Sequence, residues 1–304
     1  DPMDHRFRGL GVALVTPFRP AAHNGVPPID YAAIQRIVEH QVTGGIDYLV
    51  VMGTTGESVT LTGEERKQLL TYVIEVVKNR VPVVLGVGGN NTAEVIRQLE
   101  TYDLSGVDGI LSVSPYYNKP TQEGIYQHYK AIAQASLLPI ILYNVPGRTM
   151  SNMTAETTLR LARDFENIVG IKEASGNLDQ IATILKHRPK DFLVISGDDA
   201  LTLPILALGG DGVISVVGNA LPKEFARLVE SGLQGDFAAA RREHFKLLEF
   251  MTQIFAEGNP AGIKEACRIL GLCGNQLRLP LWNVSETTAK RIYQAMADAE
   301  VVKL

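Results

Sequence analysis

Ile168–Ser175 reads IVGIKEAS, an apolar run that passes straight into a lysine, a glutamate and small residues. Its apolar part shows no polar alternation, so it reads as a strand buried on both faces of a parallel sheet. The same grammar recurs along the chain. Upstream are Gly11–Phe18 (GVALVTPF), Tyr48–Gly53 (YLVVMG), Val81–Gly88 (VPVVLGVG), Gly109–Pro115 (GILSVSP) and Pro139–Pro146 (PIILYNVP). Downstream are Phe192–Asp198 (FLVISGD) and Gly212–Gly218 (GVISVVG). The spacing leaves room for one helix and two short loops between successive strands.

The intervening segments carry helical signals. Tyr31–Val42 sets Ile34, Ile37, Val38 and His40–Gln41 in a 3.6-residue rhythm, with Asp30 as its N-cap. Thr62-Gly63-Glu64-Glu65 has capping-box spacing ahead of Leu69–Val77. Thr121-Gln122-Glu123 opens a helix over Ile125–Ala135. Eight strands alternating with eight helices predict an α/β fold, a closed (β/α)8 TIM barrel, with a doubly wound open sheet as the alternative. Beyond the eighth unit, Phe237–Phe255, Ala261–Leu270 and Ser285–Asp298 predict three additional C-terminal helices. No linker rich in Gly, Ser or Pro sets them apart. The chain is therefore read as a single domain, 1–304, with the barrel at 11–232 and a C-terminal helical appendage at 233–304.

Composition narrows the function classes. The 304 residues carry a net charge of −4 with basic residues scattered, which offers nucleic acid no electrostatic footprint. No apolar stretch reaches the length of a membrane span. Asp1–Leu10 has no apolar h-region, so no secretory leader is expected, and Asp1-Pro2 precede Met3 as an expression scar would. Cys267 and Cys273 lack CxxC spacing and read as buried thiols, which fits a reducing cytoplasm.

In a TIM barrel the chemistry sits where the strands end. Polar and glycine-rich clusters follow the runs at that end: GTTGE at Gly53–Glu57, SPYYNKP at Ser114–Pro120, YNVPGRT at Tyr143–Thr149 and SGDD at Ser196–Asp199. Lys172 stands inside a run that should be buried. Burial disfavours an ammonium, and a neutral amine is the form that attacks a ketone to make an imine. The alternative is a lysine that snorkels or pairs with Glu173. Tyr143, one strand away, offers a phenol for proton relay; otherwise it is a core tyrosine. Pro146-Gly147 fits the centre of a type II turn that would aim Arg148, whose guanidinium suits a carboxylate. Without its neighbours Arg148 would read as a solvated surface residue. Thr54 and Thr55 offer hydroxyls and loop N–H groups to an anion, without P-loop spacing. Gly86-Val87-Gly88-Gly89 lacks full dinucleotide-loop spacing. The histidines are isolated in sequence, so no metal and no cofactor are expected.

Taken together, GTTGE, SPYYNKP, YNVPGRT, GIKEASG (Gly170–Gly176) and SGDD, in that order, resemble the dihydrodipicolinate synthase (4-hydroxy-tetrahydrodipicolinate synthase) family of the N-acetylneuraminate lyase superfamily. The likeness runs over essentially the whole chain, and its motifs are specific in combination. It implies a Schiff-base-forming lyase that condenses pyruvate with L-aspartate 4-semialdehyde in lysine and diaminopimelate biosynthesis. Lys172 would form the imine. Tyr143, Thr54 and Tyr117 would relay protons, Tyr117 coming from a neighbouring subunit of a homotetramer, a dimer of dimers. Thr55 would hold the pyruvate carboxylate and Arg148 that of the semialdehyde, with Gly197 and Ile214 lining the pocket through their backbone. Ser58, Gly88, Asn90, Glu94 and Tyr116 match an allosteric lysine site, although Gly63 and Arg66 stand where some lysine-sensitive members carry histidines. A sibling pyruvate-dependent lyase or aldolase acting on sialic acid or a sugar keto acid is the alternative, and such enzymes generally lack the PGRT arginine. A ligand-binding or inactive barrel is the other, and Lys172, Tyr143 and Thr54 together weigh against it.

Overall fold

The computed structural model describes residues 5–23 and 25–304, so Asp1-Pro2 and the first four residues of the segment read for a leader lie outside the described residues. Eight parallel strands close into a barrel in sequence order, which excludes the open-sheet alternative. They are β1 (Gly9–Ala13), β2 (Tyr48–Val51), β3 (Val83–Gly86), β4 (Gly109–Val113), β5 (Ile140–Asn144), β6 (Ile168–Glu173), β7 (Leu193–Ser196) and β8 (Gly212–Ser215). The helices are α1 (Tyr31–Thr43), α2 (Gly63–Val77), α3 (Thr92–Thr101), α4 (Gln122–Ala135), the single turn α5 (Pro146–Thr149), α6 (Ala155–Asp164), α7 (Leu178–His187), α8 (Thr202–Ala207) and α9 (Pro222–Leu233). Three more follow: α10 (Phe237–Gln253), α11 (Ala261–Ile269) and α12 (Glu286–Asp298).

The helix starts read from sequence are built as expected. Asp30 accepts from the Ala33 N–H, Thr62 and Glu65 close a reciprocal capping box, and Thr121 accepts from the Gly124 N–H. Each such cap contributes about 1 kcal/mol. The first strand differs from its expected span. β1 covers Gly9–Ala13 and not Gly11–Phe18, because Gly9 already pairs with Gly212 and the chain turns off after Ala13. Phe18 then forms an antiparallel bridge with Ile29.

Alternate strand residues face inward and outward. Ala13, Tyr48, Val50, Val84, Leu111, Ile141, Leu193, Ile195 and Ile214 form one apolar cluster that fills the barrel, while Leu10, Leu49, Leu85, Ile110 and Val194 join the larger layer under the helices. At the N-terminal end Phe7 plugs the barrel and meets Tyr48 edge-on, ring centroids 5.7 Å apart. Gly11 makes that possible, since a Cβ there would fall 2.3 Å from the Tyr48 ring. The plug leaves the opposite mouth as the open end.

One irregularity decides which way the strongest sequence feature points. Ile140 pairs with Ile168, yet Ile141 pairs with Gly170, so β6 carries one extra residue, Val169. A bulge shifts the inward–outward phase of everything after it. Val169 packs on the inner cluster, Ile171 belongs to the outer layer, and Ala174 is inside again. Lys172, between Ile171 and Glu173, therefore faces into the barrel.

Candidate active site

Lys172 and Tyr143 are cross-strand partners on β6 and β5. Both are buried, at 7% and 8% exposure, and the Lys172 Nζ sits 4.1 Å from the centroid of the Tyr143 ring. Among the described residues no carboxylate lies within ion-pair distance of Lys172. The pairing with Glu173 that would have made Lys172 a structural residue does not form. Glu173 faces the outer layer, where its carboxylate accepts from Asn144, the Ser175 N–H and Gln180. Burial pushes the Glu173 carboxyl up, and those donors pull it back. Lys172 is thus a buried amine without a bound counter-ion, which leaves it available as a nucleophile.

Gly197, at the end of β7, lies against the lysine stem: a Cβ there would stand 3.2 Å from Lys172 Cγ and 2.7 Å from Ala174 Cβ. The adjacent Asp199 is buried, and desolvation raises its carboxyl to about 6 despite donors from the backbone. Its Oδ2 accepts the N–H groups of Val216 and Val217 at 3.0 and 3.1 Å, which fixes the chain just after β8. Ile214, the inward residue of β8, is buried in the same inner cluster as Tyr143. Lys172, Tyr143, Gly197 and Ile214 therefore line one interior space at the C-terminal mouth.

The remaining candidates sit on the rim. Thr54 is exposed and Thr55 buried, on a turn closed by Gly56 N–H to Gly53 O and Glu57 N–H to Thr54 O. Thr55 Oγ1 accepts from Asn259 Nδ2 at 2.9 Å. Arg148 is exposed on α5. Here the structure corrects the expected type II turn. Such a turn needs positive φ at Gly147, which is absent, and Arg148 and Thr149 instead donate to Val145 O as one helical turn led by Pro146. Tyr117 is 88% exposed with φ of 73°, a conformation that strains a bulky residue. Its loop is braced by Asn90 Nδ2 to Tyr116 O and by Asn118 Nδ2 to Asn90 O. Within one chain, then, the interior residues come together, while Tyr117 is held outward into solvent.

Ser58, Gly88, Asn90, Glu94 and Tyr116 gather on the neighbouring β2–β4 side. Arg66 donates to Ser58 O at 2.8 Å, and Glu94 pairs with Arg97. Arg97 first, and Arg66 more weakly, hold the Glu94 carboxyl below its usual range.

Sequence reasoning missed Asn259, Lys264 and Arg278. Lys264, fully buried on α11, pairs with Glu57 of the GTTGE loop at 2.5 Å, and Arg278 grips Glu65 and donates its own N–H to Glu57. A lysine within AGIKEAC, among small and apolar residues, was the available signal. Among the described residues no three His, Cys, Asp or Glu side chains converge as a metal's donor set, and no helix is long and apolar enough to cross a membrane.

Comparison with known proteins places this geometry. The sequence model of the dihydrodipicolinate synthetase family matches residues 6–299. A Parabacteroides distasonis protein named 4-hydroxy-tetrahydrodipicolinate synthase is 51% identical over 298 residues, covering 98% of this chain and 99% of its own length. The crystal structure of dihydrodipicolinate synthase from Thermotoga maritima superposes with a TM-score of 0.94 at 42% identity, covering 98% of this chain and 100% of that one. The lysine-bound enzyme from Cyanidioschyzon merolae superposes with a TM-score of 0.93, also at 42% identity and with the same coverage.

Proposed function

The chain belongs to the dihydrodipicolinate synthetase family, and from that premise we propose that it condenses pyruvate with L-aspartate 4-semialdehyde through an imine on Lys172. The observation that carries the reading is the inward-facing, buried Lys172 amine over the Tyr143 ring, with no ion pair to it among the described residues. The Lys172 amine adds to the pyruvate ketone and water leaves, giving the imine. Loss of a methyl proton gives the enamine, whose carbon attacks the semialdehyde aldehyde. The substrate's own amine then displaces Lys172 from the imine carbon and closes the ring.

Tyr143, Thr54 and Tyr117 are the proposed proton relay, with Tyr117 supplied across a subunit interface. Its exposure and its strained backbone within one chain support that placement. Thr55 holds the pyruvate carboxylate, Arg148 the semialdehyde carboxylate, and the backbone of Gly197 and Ile214 lines the pocket. The active assembly is a homotetramer of single-domain subunits in the cytoplasm, each with its barrel running from β1 to α9 and a helical appendage from α10 onward. Ser58, Gly88, Asn90, Glu94 and Tyr116 form the proposed effector site for lysine, in which Arg66 places a cation beside Glu94.

Borohydride reduction in the presence of pyruvate tests the core of this reading. One pyruvyl adduct on the Lys172 peptide is expected, and none in Lys172→Ala. An adduct on another lysine, or its persistence in that variant, overturns it.

A further inference from the structure

Thr55 is held by a residue from the far end of the chain. We infer that Asn259 is a positioning residue for the substrate carboxylate: its amide fills the acceptor side of the Thr55 hydroxyl and leaves the O–H to donate to that carboxylate. The inference rests on the assignment of Thr55 proposed above.

The chemistry follows from what each group can give. A threonine hydroxyl has one proton and two lone pairs, and a carboxylate only accepts. A Thr55 hydroxyl that donated to a protein acceptor would have nothing left for the substrate. Asn259 Nδ2 donates to Thr55 Oγ1 at 2.9 Å, and a donor cannot receive the Thr55 proton. Among the described residues no acceptor takes that proton. Thr55 is buried at the mouth, so its proton is left for what enters. In this orientation Asn259 Oδ1 is buried with no donor against it; turning the amide over would bring Oδ1 to Thr55 and consume the proton.

The position of Asn259 is itself fixed by a second staple. Lys264, five residues on, is locked to Glu57, two residues past Thr55, by the fully buried ion pair, and Lys264 also donates to Gln276 O at 2.8 Å. Arg278 completes the clamp with its N–H on Glu57 Oε1 and its guanidinium on Glu65, Thr60 O and Pro27 O. The segment leading into α11 is thereby part of the carboxylate site, so the helices after the barrel act on substrate binding as well as on packing.

Pyruvate binding is measured by the concentration dependence of borohydride trapping, alongside kcat and KM, for Asn259→Ala, Asn259→Asp and Thr55→Val. Asn259→Ala loses a neutral hydrogen bond and should weaken pyruvate about 3- to 10-fold. Asn259→Asp offers only acceptors, takes the Thr55 proton, and should weaken it about 10- to 100-fold. In both, kcat at saturating pyruvate should move less than about 3-fold, and trapping of the uncharged pyruvamide, whose amide oxygen is a weaker acceptor, should fall less than trapping of pyruvate. In a Thr55→Val background either Asn259 change should add little. A merely structural Asn259 would affect pyruvamide and pyruvate alike. That result, or full independence of the two sites, overturns the inference, as does normal pyruvate binding by both Asn259 variants. If Thr55→Val itself leaves pyruvate binding untouched, it is the assignment of Thr55 that fails.

Discussion

Replacing Lys264 with methionine removes the cation from a buried pair and leaves Glu57 behind. The Lys264 side chain is fully buried and its Nζ stands 2.5 Å from Glu57 Oε2. It also lies 4.2 Å from the centre of the Phe18 ring, which the Arg278 guanidinium shares at 4.6 Å. Methionine keeps most of the volume, so cavity formation contributes little. What remains is a Glu57 carboxylate with one neutral donor, the Arg278 N–H at 3.1 Å. Breaking a buried pair from one side costs about 3–5 kcal/mol. With an unfolding entropy of about 2.1 cal/mol/K per residue over 304 residues, that corresponds to a fall in Tm of about 5–8 °C. Scanning calorimetry at fixed protein concentration measures it. The double variant Glu57→Gln with Lys264→Met removes both charges and should recover more than half of the loss. A loss below about 1 kcal/mol, or a double variant no more stable than the single one, would refute the unpaired-charge argument.

Three further outcomes are expected. Arg148→Ala should leave pyruvate trapping on Lys172 within about twofold while kcat/KM for the semialdehyde falls about 10- to 100-fold, the worth of one hydrogen bond to a charged group; equal loss in both steps would place Arg148 in the fold or at the first substrate. Tyr117→Phe and Lys172→Ala, each inactive alone, should regain activity when mixed and allowed to exchange subunits, because one site of a mixed dimer then holds both residues; no recovery despite measured exchange would put Tyr117 in its own chain's site. The third concerns His128, which burial pushes down to about 4. The unfolded chain binds that proton from about pH 6.5 downward, so stability falls as pH drops from there to about 4, by about 3 kcal/mol in total, and is then flat. Denaturant unfolding across that window should show a shallower slope for His128→Gln, and an unchanged slope would remove His128 as the cause.

Much of this protein was fixed by short-range pattern. Eight apolar runs without polar alternation, each set apart by a helical segment, are the pattern of strands buried on both faces of a parallel sheet, and the caps at Asp30, Thr62 and Thr121 act within one helical turn. The position of the polar clusters at the strand ends located the candidate site, because a barrel has one functional mouth. Other features depend on groups that meet only after folding. No local pattern announces that Ile141 will pair with Gly170, yet that slip sets the phase of β6 and turns Lys172 inward and Glu173 outward. Gly147 is compatible with a type II turn or a helical turn, and hydrogen bonds to Val145 chose the latter. Asn259, Lys264 and Arg278 lie more than 200 residues from the loops they hold. An isolated lysine or asparagine carries no sign of its partner, since a buried charge or amide gains its meaning from the group that neutralises it or accepts from it, and only the closed barrel brings those groups within reach.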